Sequence, residues 1–284
     1  MRTMKRLFLF AGYDKDGIID DALIYYISQI HKFGDIVLCM DSDCKKSEIN
    51  KIKKYCLNVI SARHAEYDFG SYKRAYMWAN EKNILEKYDV LYLVNDSVFG
   101  PVMNIKDTLV KMESIKTDAV GLVVSKHKTH MFMESWFVAL NKKIFTSKWF
   151  YEFLSSVKSE SSKTLITIKY EHGLSNLILN NNCRWNGVYN IWGRYTYNHP
   201  KKLFKMGCPF IKRASFTRHN GGIGGQIKYI LKHANPHAKC AIMKTANRIY
   251  GLEHMNWLMT SNPLKILARN IRYAKQKISK WYKQ

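Results

Sequence analysis

The chain has 284 residues, of which 46% are hydrophobic and 13% aromatic, so it can build a sizeable core and is not an intrinsically disordered protein. Its net charge of +24 is concentrated in residues 172–284, where 20 Lys and Arg stand against one acid, Glu253. This asymmetry favours a polyanionic partner, either nucleic acid or an anionic membrane surface. The sequence contains no run of about 18 apolar residues, so we predict no membrane-spanning helix.

The first hundred residues predict alternating strands and helices. Strands are predicted at residues 7–11, 35–40, 58–61 and 90–94, and helices at 20–33, 47–56 and 71–83. Each strand is a short apolar run, whereas residues 20–33 carry apolar side chains at helical spacing. This βαβαβαβ order predicts an α/β fold, a Rossmann-type, mostly parallel sheet flanked by helices.

After residue 101 the alternation is less regular. Helices are predicted at 105–112, 149–157 and 170–180, and strands at 119–124 and 135–140. Residues 181–225 show no strong period. We therefore predict one domain over residues 1–225 and a basic helical C-terminal extension over residues 226–284.

The end of the chain predicts an amphipathic helix that begins at Pro263. Its apolar stripe is Leu264, Leu267, Ile271, Ala274, Ile278 and Trp281, and its cations are Lys265, Arg269, Arg272, Lys275, Lys277, Lys280 and Lys283. The stripe would either dock on the domain or lie on an anionic membrane surface, where each basic residue contributes roughly 1 kcal/mol. The sequence alone leaves both interpretations open.

Acidic residues follow three of the predicted strands. They are Asp14 and Asp16 after the first strand, Asp41 and Asp43 after the second, and Asp96 after the fourth. Each alone is typical of a turn or a helix cap. Together they would meet at the edge of a parallel sheet where ligands bind, and carboxylates there suit Mg²⁺ or Mn²⁺ with substrate phosphates.

The segment RHAEYDFGSYKRAY precedes the fourth strand. Gly70 would allow close backbone approach, and a helix start with Lys73 and Arg74 would suit a diphosphate. The alternative is a capped surface helix.

Six ordered motifs together resemble the rhamnan synthesis protein F family of bacterial polysaccharide glycosyltransferases. They are FAGYDKDGIIDD, EYDFGSYKRAY, YDVLYLVNDSVFGP, HMFMESWFVALNKKIF, KYEHGLSNLIL and CPFIKR, between residues 6 and 215. The resemblance implies a GT-A-like fold and transfer of a sugar, typically L-rhamnose from dTDP-rhamnose. The acceptor would be a lipid-linked O-antigen or cell-wall glycan at the cytoplasmic face of the bacterial inner membrane, where the protein would be peripheral.

The same resemblance implies donor-binding residues. Asn95, Asp96 and Ser97 replace the DxD motif of GT-A enzymes, so Asp96 would meet the divalent cation and the donor diphosphate. One carboxylate replaces two, and the diphosphate would otherwise be neutralised by Lys73, Arg74, Lys212 or Arg213. Asp41 and Asp43 fall where such folds contact the base and ribose, and Asp68 where they close over the nucleotide.

An inverting transfer needs a general base for the acceptor hydroxyl. Glu171 fits, because it is the last acid before a long acid-free stretch and lies at a predicted helix start. The alternative for Glu171 is an acid that stabilises the helix N-terminus. Glu134 is the rival base, and we assign it to the acceptor side with His130 and Trp136.

A second function remains open, a nucleic-acid-binding protein that uses its cationic C-terminal part. It predicts binding that falls steeply with salt, but it leaves the acidic strand ends unexplained, so we expect no nucleic-acid partner. The six cysteines show no CxxC pair or Cys/His cluster, which is typical of reduced cytosolic thiols.

Overall fold

The computed structural model describes residues 4–193, 195–218 and 222–281. The chain divides into two compact units: residues 1–96 with 105–193, and residues 97–104 with 194–284. The boundary that we predicted at residue 225 lies inside the second unit. The functional division at that residue stays a prediction.

Strands and helices alternate strictly only in the first part of the chain. The strands are β1 (Arg6–Gly12), β2 (Asp35–Met40), β3 (Asn58–Ser61), β4 (Val90–Asn95), β5 (Val98–Phe99), β6 (Ala119–Lys126), β7 (Met131–Met133), β8 (Phe137–Asn141), β9 (Trp185–Trp192) and β10 (Ile211–Lys212). The helices of the first unit are α1 (Asp21–Ile30), α2 (Lys46–Ile52), α3 (Tyr67–Glu81), α4 (Ile105–Glu113), α5 (Lys142–Phe145), α6 (Lys148–Ser155), α7 (Lys163–Ile166) and α8 (Gly173–Asn180). Those of the second unit are α9 (Tyr195–Asn198), α10 (Pro200–Lys205), α11 (Ile223–His233), α12 (Pro236–Tyr250), α13 (Leu252–Leu258) and α14 (Pro263–Trp281).

The first unit is built on a mixed, mostly parallel sheet. Among the described residues this sheet has eight strands in the order β3-β2-β1-β4-β8-β6-β7, and β9 pairs with β6. β3, β2, β1 and β4 run parallel to one another, and β8 is antiparallel to both β4 and β6. The predicted α/β class and the parallel start of the sheet are confirmed.

The strands form because their residues are buried on both faces of the sheet. Residues 7–10 of β1 are fully buried, and α3 packs on β1 and β2. α1 begins after Asp20, whose carboxylate accepts a hydrogen bond of 2.9 Å from the backbone N–H of Leu23. Helices that pack on a doubly buried sheet give the layered arrangement that the alternation predicts.

Two parts of the first unit differ from the sequence predictions. β9 lies within residues 181–225, whose sequence has no strong period, although its alternating burial is that of a strand with one face covered. The predicted helix at 170–180 begins only at Gly173, because residues Thr167–His172 form a π-helix. A π-helix widens the backbone turn and changes the direction of the side chains that it carries.

The second unit is largely helical. β5 and β10 form a two-stranded antiparallel sheet, and α10 packs on α11. Within the described residues no helix is both long enough and apolar enough to cross a lipid bilayer.

Candidate active site

The acidic strand ends lie at one edge of the parallel sheet. Met40 at the end of β2 is paired with Gly12 of β1, and Asn95 at the end of β4 with Ala11. Asp96 follows at once and is buried. Its Oδ2 accepts a hydrogen bond of 3.3 Å from the backbone N–H of Tyr13. The carboxyl ends of β1, β2 and β4 thus bring these residues together at the edge where α/β sheets bind ligands.

Asp41 and Asp43 organise the loop that leads to α3. Asp41 Oδ1 accepts hydrogen bonds from the backbone N–H groups of His64 (2.7 Å) and Ala65 (3.0 Å). Its Oδ2 pairs with Arg63 at 2.8 Å, and Asp43 accepts from the backbone N–H of Arg63 at 3.0 Å. These bonds favour turn chemistry for both acids, and their contact with base and ribose stays a prediction.

This loop holds its backbone in an unfavourable conformation. Ala65 has φ 58° and Tyr67 has φ 56°, the left-handed region that side chains with a Cβ seldom adopt. Each such residue costs on the order of 1–3 kcal/mol, and they concentrate at ligand sites. The two bonds to Asp41 offset that cost and fix the start of α3.

His64 is a neutral structural residue of the same loop. Its Nδ1 accepts from the backbone N–H of Glu66 at 3.1 Å, so the ring proton lies on Nε2, which is 3.0 Å from Ser71 Oγ. Asp41 lies 3.6 Å from Nδ1, beyond hydrogen-bond distance. With its proton on Nε2 and no hydrogen bond to Asp41, His64 cannot accept the proton of the Ser71 hydroxyl, as a catalytic Asp-His-Ser triad would require. Burial lowers the pKa of His64 to about 4.

We expect the His64 ring to make folding pH-dependent. Its folded pKa of about 4 lies below the ordinary 6.5, so the unfolded chain binds more protons between these values. His64 therefore does not lower the free energy of unfolding above pH 6.5. As pH falls from 6.5 toward 4, His64 lowers that free energy by at most roughly 3 kcal/mol. Thermal unfolding from pH 7.5 to 4.5 should show a shallower decline for His64→Gln than for the wild type. The exposed control His237→Asn should follow the wild type, and equal slopes for all three proteins would refute the role of His64.

Gly70 is required by packing within the chain. A Cβ at this position would overlap the Glu66 Cβ and lie 2.9 Å from His64 Cε1. The sequence predicts that Gly70 allows close approach to a diphosphate. In the structure, a glycine is needed here because the first turn of α3 packs against the loop that precedes it. Gly70 in the donor site stays a prediction.

Gly70→Ala should therefore destabilise the fold by about 1–3 kcal/mol, because the added methyl overpacks the loop. Urea unfolding measures the change. The matched control is Gly225→Ala in α11, where a Cβ meets nothing within 4 Å and the better helix propensity of Ala should raise stability by up to about 1 kcal/mol. Equal stability of Gly70→Ala and the wild type would contradict this packing.

The two most distinctive motifs of the sequence meet in the structure. Asn95 Nδ2, at the end of β4, donates a hydrogen bond of 3.0 Å to Asp68 Oδ2, in the first turn of α3. The backbone N–H of Asn95 donates to Trp136 O at 3.2 Å. Asp68 of DFGSYKR and Asn95 of NDSVFGP thus form one polar pair, and Asp96 directly follows Asn95 in the chain.

Tyr72 extends this pair, and sequence reasoning missed it as a site residue. Its hydroxyl donates to Ser135 O at 2.9 Å, and the ring is fully buried. Burial raises the pKa of Tyr72 well above its ordinary value, and the nearby carboxylates of Asp68 and Glu171 raise it further. The available signal was the position of Tyr72 four residues after Asp68, on the same face of a helix.

Glu171 shares the partner Ser135 with Tyr72. It lies on the π-helix Thr167–His172 and is half-buried. Its Oε1 accepts hydrogen bonds from both the backbone N–H and the Oγ of Ser135, each at 2.7 Å. π-Helices occur frequently at functional sites because they re-aim one side chain. The chain thus orients a carboxylate that retains access to solvent.

Glu134 and Trp136 belong to the core. Glu134 is 5% exposed and accepts from Ser125 Oγ at 2.7 Å and from Trp136 Nε1 at 2.6 Å. Trp136 itself is 2% exposed. This burial favours packing over acceptor binding for both residues, and it favours Glu171 over Glu134 as the base.

His130 is exposed beside the Glu171 segment. Its ring lies 4.7 Å from that of His127 and 4.9 Å from that of His172. Burial lowers the pKa of His172, and the neighbouring rings of His130 and His127 lower it further. The rings of His127 and His130 are exposed and that of His172 is half-buried, so the three form a partly exposed cluster. The acceptor role of His130 stays a prediction.

The predicted phosphate-binding cations have partners within their own units. Lys73 Nζ donates to Val157 O at 2.7 Å, and Arg74 pairs with Glu66 at 2.6 Å. In the second unit, Lys212 Nζ donates to Ser97 Oγ at 3.0 Å, and the Arg213 guanidinium lies 5.0 Å from the Phe99 ring. In the part of the chain that the structure describes, no group of three or more His, Cys, Asp or Glu is arranged to hold a metal ion.

Comparison with known proteins identifies the same family that the sequence motifs resemble. The family model described as rhamnan synthesis protein F matches residues 23–281. The protein y4gN of Sinorhizobium fredii (strain NBRC 101917 / NGR234), which is described as uncharacterised, is 21% identical over 154 residues. That match spans 53% of this chain and 40% of the relative, less than half of its length. Since the family match covers nearly the whole chain, the chain belongs to the rhamnan synthesis protein F family, whose members serve polysaccharide biosynthesis.

Proposed function

We propose that the chain is a nucleotide-sugar-dependent glycosyltransferase with a GT-A-like first unit. It transfers a sugar, L-rhamnose from dTDP-rhamnose, to a lipid-linked O-antigen or cell-wall polysaccharide acceptor and inverts the anomeric centre. The reaction takes place at the cytoplasmic face of the bacterial inner membrane. None of the comparisons supports the nucleic-acid alternative.

One observation carries this proposal, the hydrogen bond between Asn95 and Asp68. It joins the two most specific motifs at the carboxyl edge of the parallel strands, directly beside Asp96. Crevices at this edge are where α/β sheets bind nucleotides. The contacts continue through Tyr72 and Ser135 to Glu171, so a donor-binding side and a candidate base belong to one polar network.

Glu171, Asp96 and Asp68 have separate roles in the proposed reaction. Glu171 takes the proton of the acceptor hydroxyl, and that oxygen forms a bond to the anomeric carbon of the donor sugar. The bond between the anomeric carbon and the diphosphate oxygen breaks, and its electron pair leaves with dTDP. The two hydrogen bonds from Ser135 hold Glu171 Oε1 in one orientation. Asp96 and Asp68 bind and orient the donor.

The donor atoms at this edge suit a hard cation. The carboxylates of Asp96 and Asp68 and the amide oxygen of Asn95 are oxygen ligands, which Mg²⁺ and Mn²⁺ prefer, and Mg²⁺ is commonly bound by one or two carboxylates plus substrate phosphates. When bound, such an ion would neutralise the negative charge of the diphosphate.

A thermal-shift panel of dTDP-, UDP- and GDP-sugars, each with Mn²⁺ or with EDTA, tests this function. A ligand at about 100 times its Kd stabilises the native state by about 2.7 kcal/mol, so dTDP-rhamnose should raise the Tm by several degrees. A shift that requires Mn²⁺ would support the metal at Asp96. If no nucleotide sugar changes the Tm under either condition, the proposed function is wrong.

A further inference from the structure

Helix α14 is attached to the second unit by the face opposite to its apolar stripe. Arg269 is 2% exposed, and its guanidinium donates to Leu258 O at 2.9 Å and to Trp257 O at 3.4 Å, at the C-terminal end of α13. Ile266, one turn before Arg269, is half-buried. A guanidinium at the end of a helix meets carbonyl groups that have no partner inside the helix.

The apolar stripe itself faces solvent. Leu264 is 75% exposed, Leu267 55% and Ile271 49%. At 100° per residue these three side chains span about 60° of the helix, on the side away from Ile266 and Arg269. The predicted alternative that the stripe docks on the domain is therefore wrong for these residues. The side chains of Ile278 and Trp281, and those of Lys277, Lys280 and Lys283, lie outside the described part.

The surroundings of the stripe are cationic. Lys265, Arg272 and Lys275 are exposed on the same helix, and the only acid in residues 172–284 is Glu253. A second copy of this chain would bring an equally cationic face to the stripe, which like-charge repulsion disfavours. A nucleic acid would satisfy the cations but would leave the aliphatic side chains in water. An anionic bilayer satisfies both, since its headgroups pair with the cations and its acyl boundary covers the stripe.

We propose that α14 lies in the interface of an anionic lipid bilayer, with Leu264, Leu267 and Ile271 inserted and Lys265, Arg272 and Lys275 at the headgroup phosphates. The contact between Arg269 and α13 makes the helix a fixed part of the second unit. The inference is independent of the proposed reaction.

Flotation of the full chain with lipid vesicles tests this proposal. Wild type should bind vesicles of phosphatidylcholine mixed with phosphatidylglycerol, and should bind phosphatidylcholine alone far more weakly. Leu264→Gln/Leu267→Gln/Ile271→Gln should weaken binding to the anionic vesicles by about tenfold or more, because the helix loses its inserted surface. A second variant, Lys265→Gln/Arg272→Gln/Lys275→Gln, should lose the preference for anionic lipid.

The matched control is Leu252→Gln, which removes another exposed aliphatic side chain of the second unit, 62% exposed on α13. It should bind vesicles as the wild type does. All variants should unfold at the wild-type temperature, because the substituted side chains are exposed. Wild-type binding by the triple aliphatic variant would overturn the proposal, and so would equal binding to neutral and anionic vesicles. A wild-type dimer that the aliphatic variant abolishes, without vesicle binding, would also overturn it.

Discussion

Glu171→Gln is expected to lower turnover by roughly 10²–10⁴-fold, the usual contribution of a general base, and to leave donor affinity unchanged. Gln has the size of Glu and its amide oxygen can still accept from Ser135, so the π-helix and the network should persist. What the variant loses is the ability to take a proton from the acceptor hydroxyl. Steady-state transfer of labelled sugar measures turnover, and titration calorimetry with dTDP-rhamnose measures binding.

Two further variants test whether the general base is Glu171 or another acid. Glu152→Gln removes an acid on the outside of α6 and should leave turnover unchanged. Glu134→Gln places an amide group against the Ser125 and Trp136 donors, so it should lower the Tm by more than it lowers turnover. If Glu134→Gln loses turnover with a wild-type Tm and Glu171→Gln does not, the base is Glu134.

Asp96→Asn is expected to lower turnover by roughly 10²–10³-fold, the loss typical of one preorganised electrostatic group. Folding should change little, by about 1 kcal/mol or less, because the Asn oxygen can still accept from the Tyr13 N–H. In contrast to Glu171→Gln, this variant should also bind dTDP-rhamnose more weakly. The loss follows because Asp96 is the proposed ligand of the divalent cation that would neutralise the donor diphosphate, and an amide holds such a cation more weakly than a carboxylate does.

Asp107→Asn is the matched control for Asp96→Asn. Asp107 is an exposed acid on α4. Its substitution should change neither turnover nor donor affinity. Near-normal activity of Asp96→Asn would remove Asp96 from the site, and a large fall in its Tm would make its role structural.

The parallel start of the sheet could be predicted because its strands are buried on both faces. Runs such as residues 90–94 are apolar without interruption, and that composition excludes a surface element. The order of elements then sets the parallel direction, and with it the sheet edge at which both Asp41 and Asp96 lie. These conclusions need only local pattern and connectivity.

The partners within the site could not be predicted, because they depend on contacts between distant segments. Tyr72 has the spacing of a core residue, and only packing places its hydroxyl against Ser135. Glu134 and Glu171 are both plausible bases by sequence, and they differ in burial and in the donors around them. The π-helix that carries Glu171 has the composition of an ordinary helix.

The orientation of α14 was undetermined for a related reason. An amphipathic stripe has the same spacing whether it packs on the domain or faces outward. Arg269, which the pattern counts among the solvated cations, is the residue that is buried. A helix is attached by whichever face finds partners, and here those partners are carbonyl groups at the end of α13.

The most direct test of sugar transfer incubates the full chain with dTDP-rhamnose and a lipid-linked acceptor analogue. Mass spectrometry follows the acceptor while released dTDP is quantified in the same reaction. We predict one dTDP released for each rhamnosyl group added by the wild type, and a strong reduction of both products with Glu171→Gln. Equal product formation by wild type and Glu171→Gln would contradict the proposed base. An unmodified acceptor with every nucleotide sugar in the panel would contradict transferase activity itself.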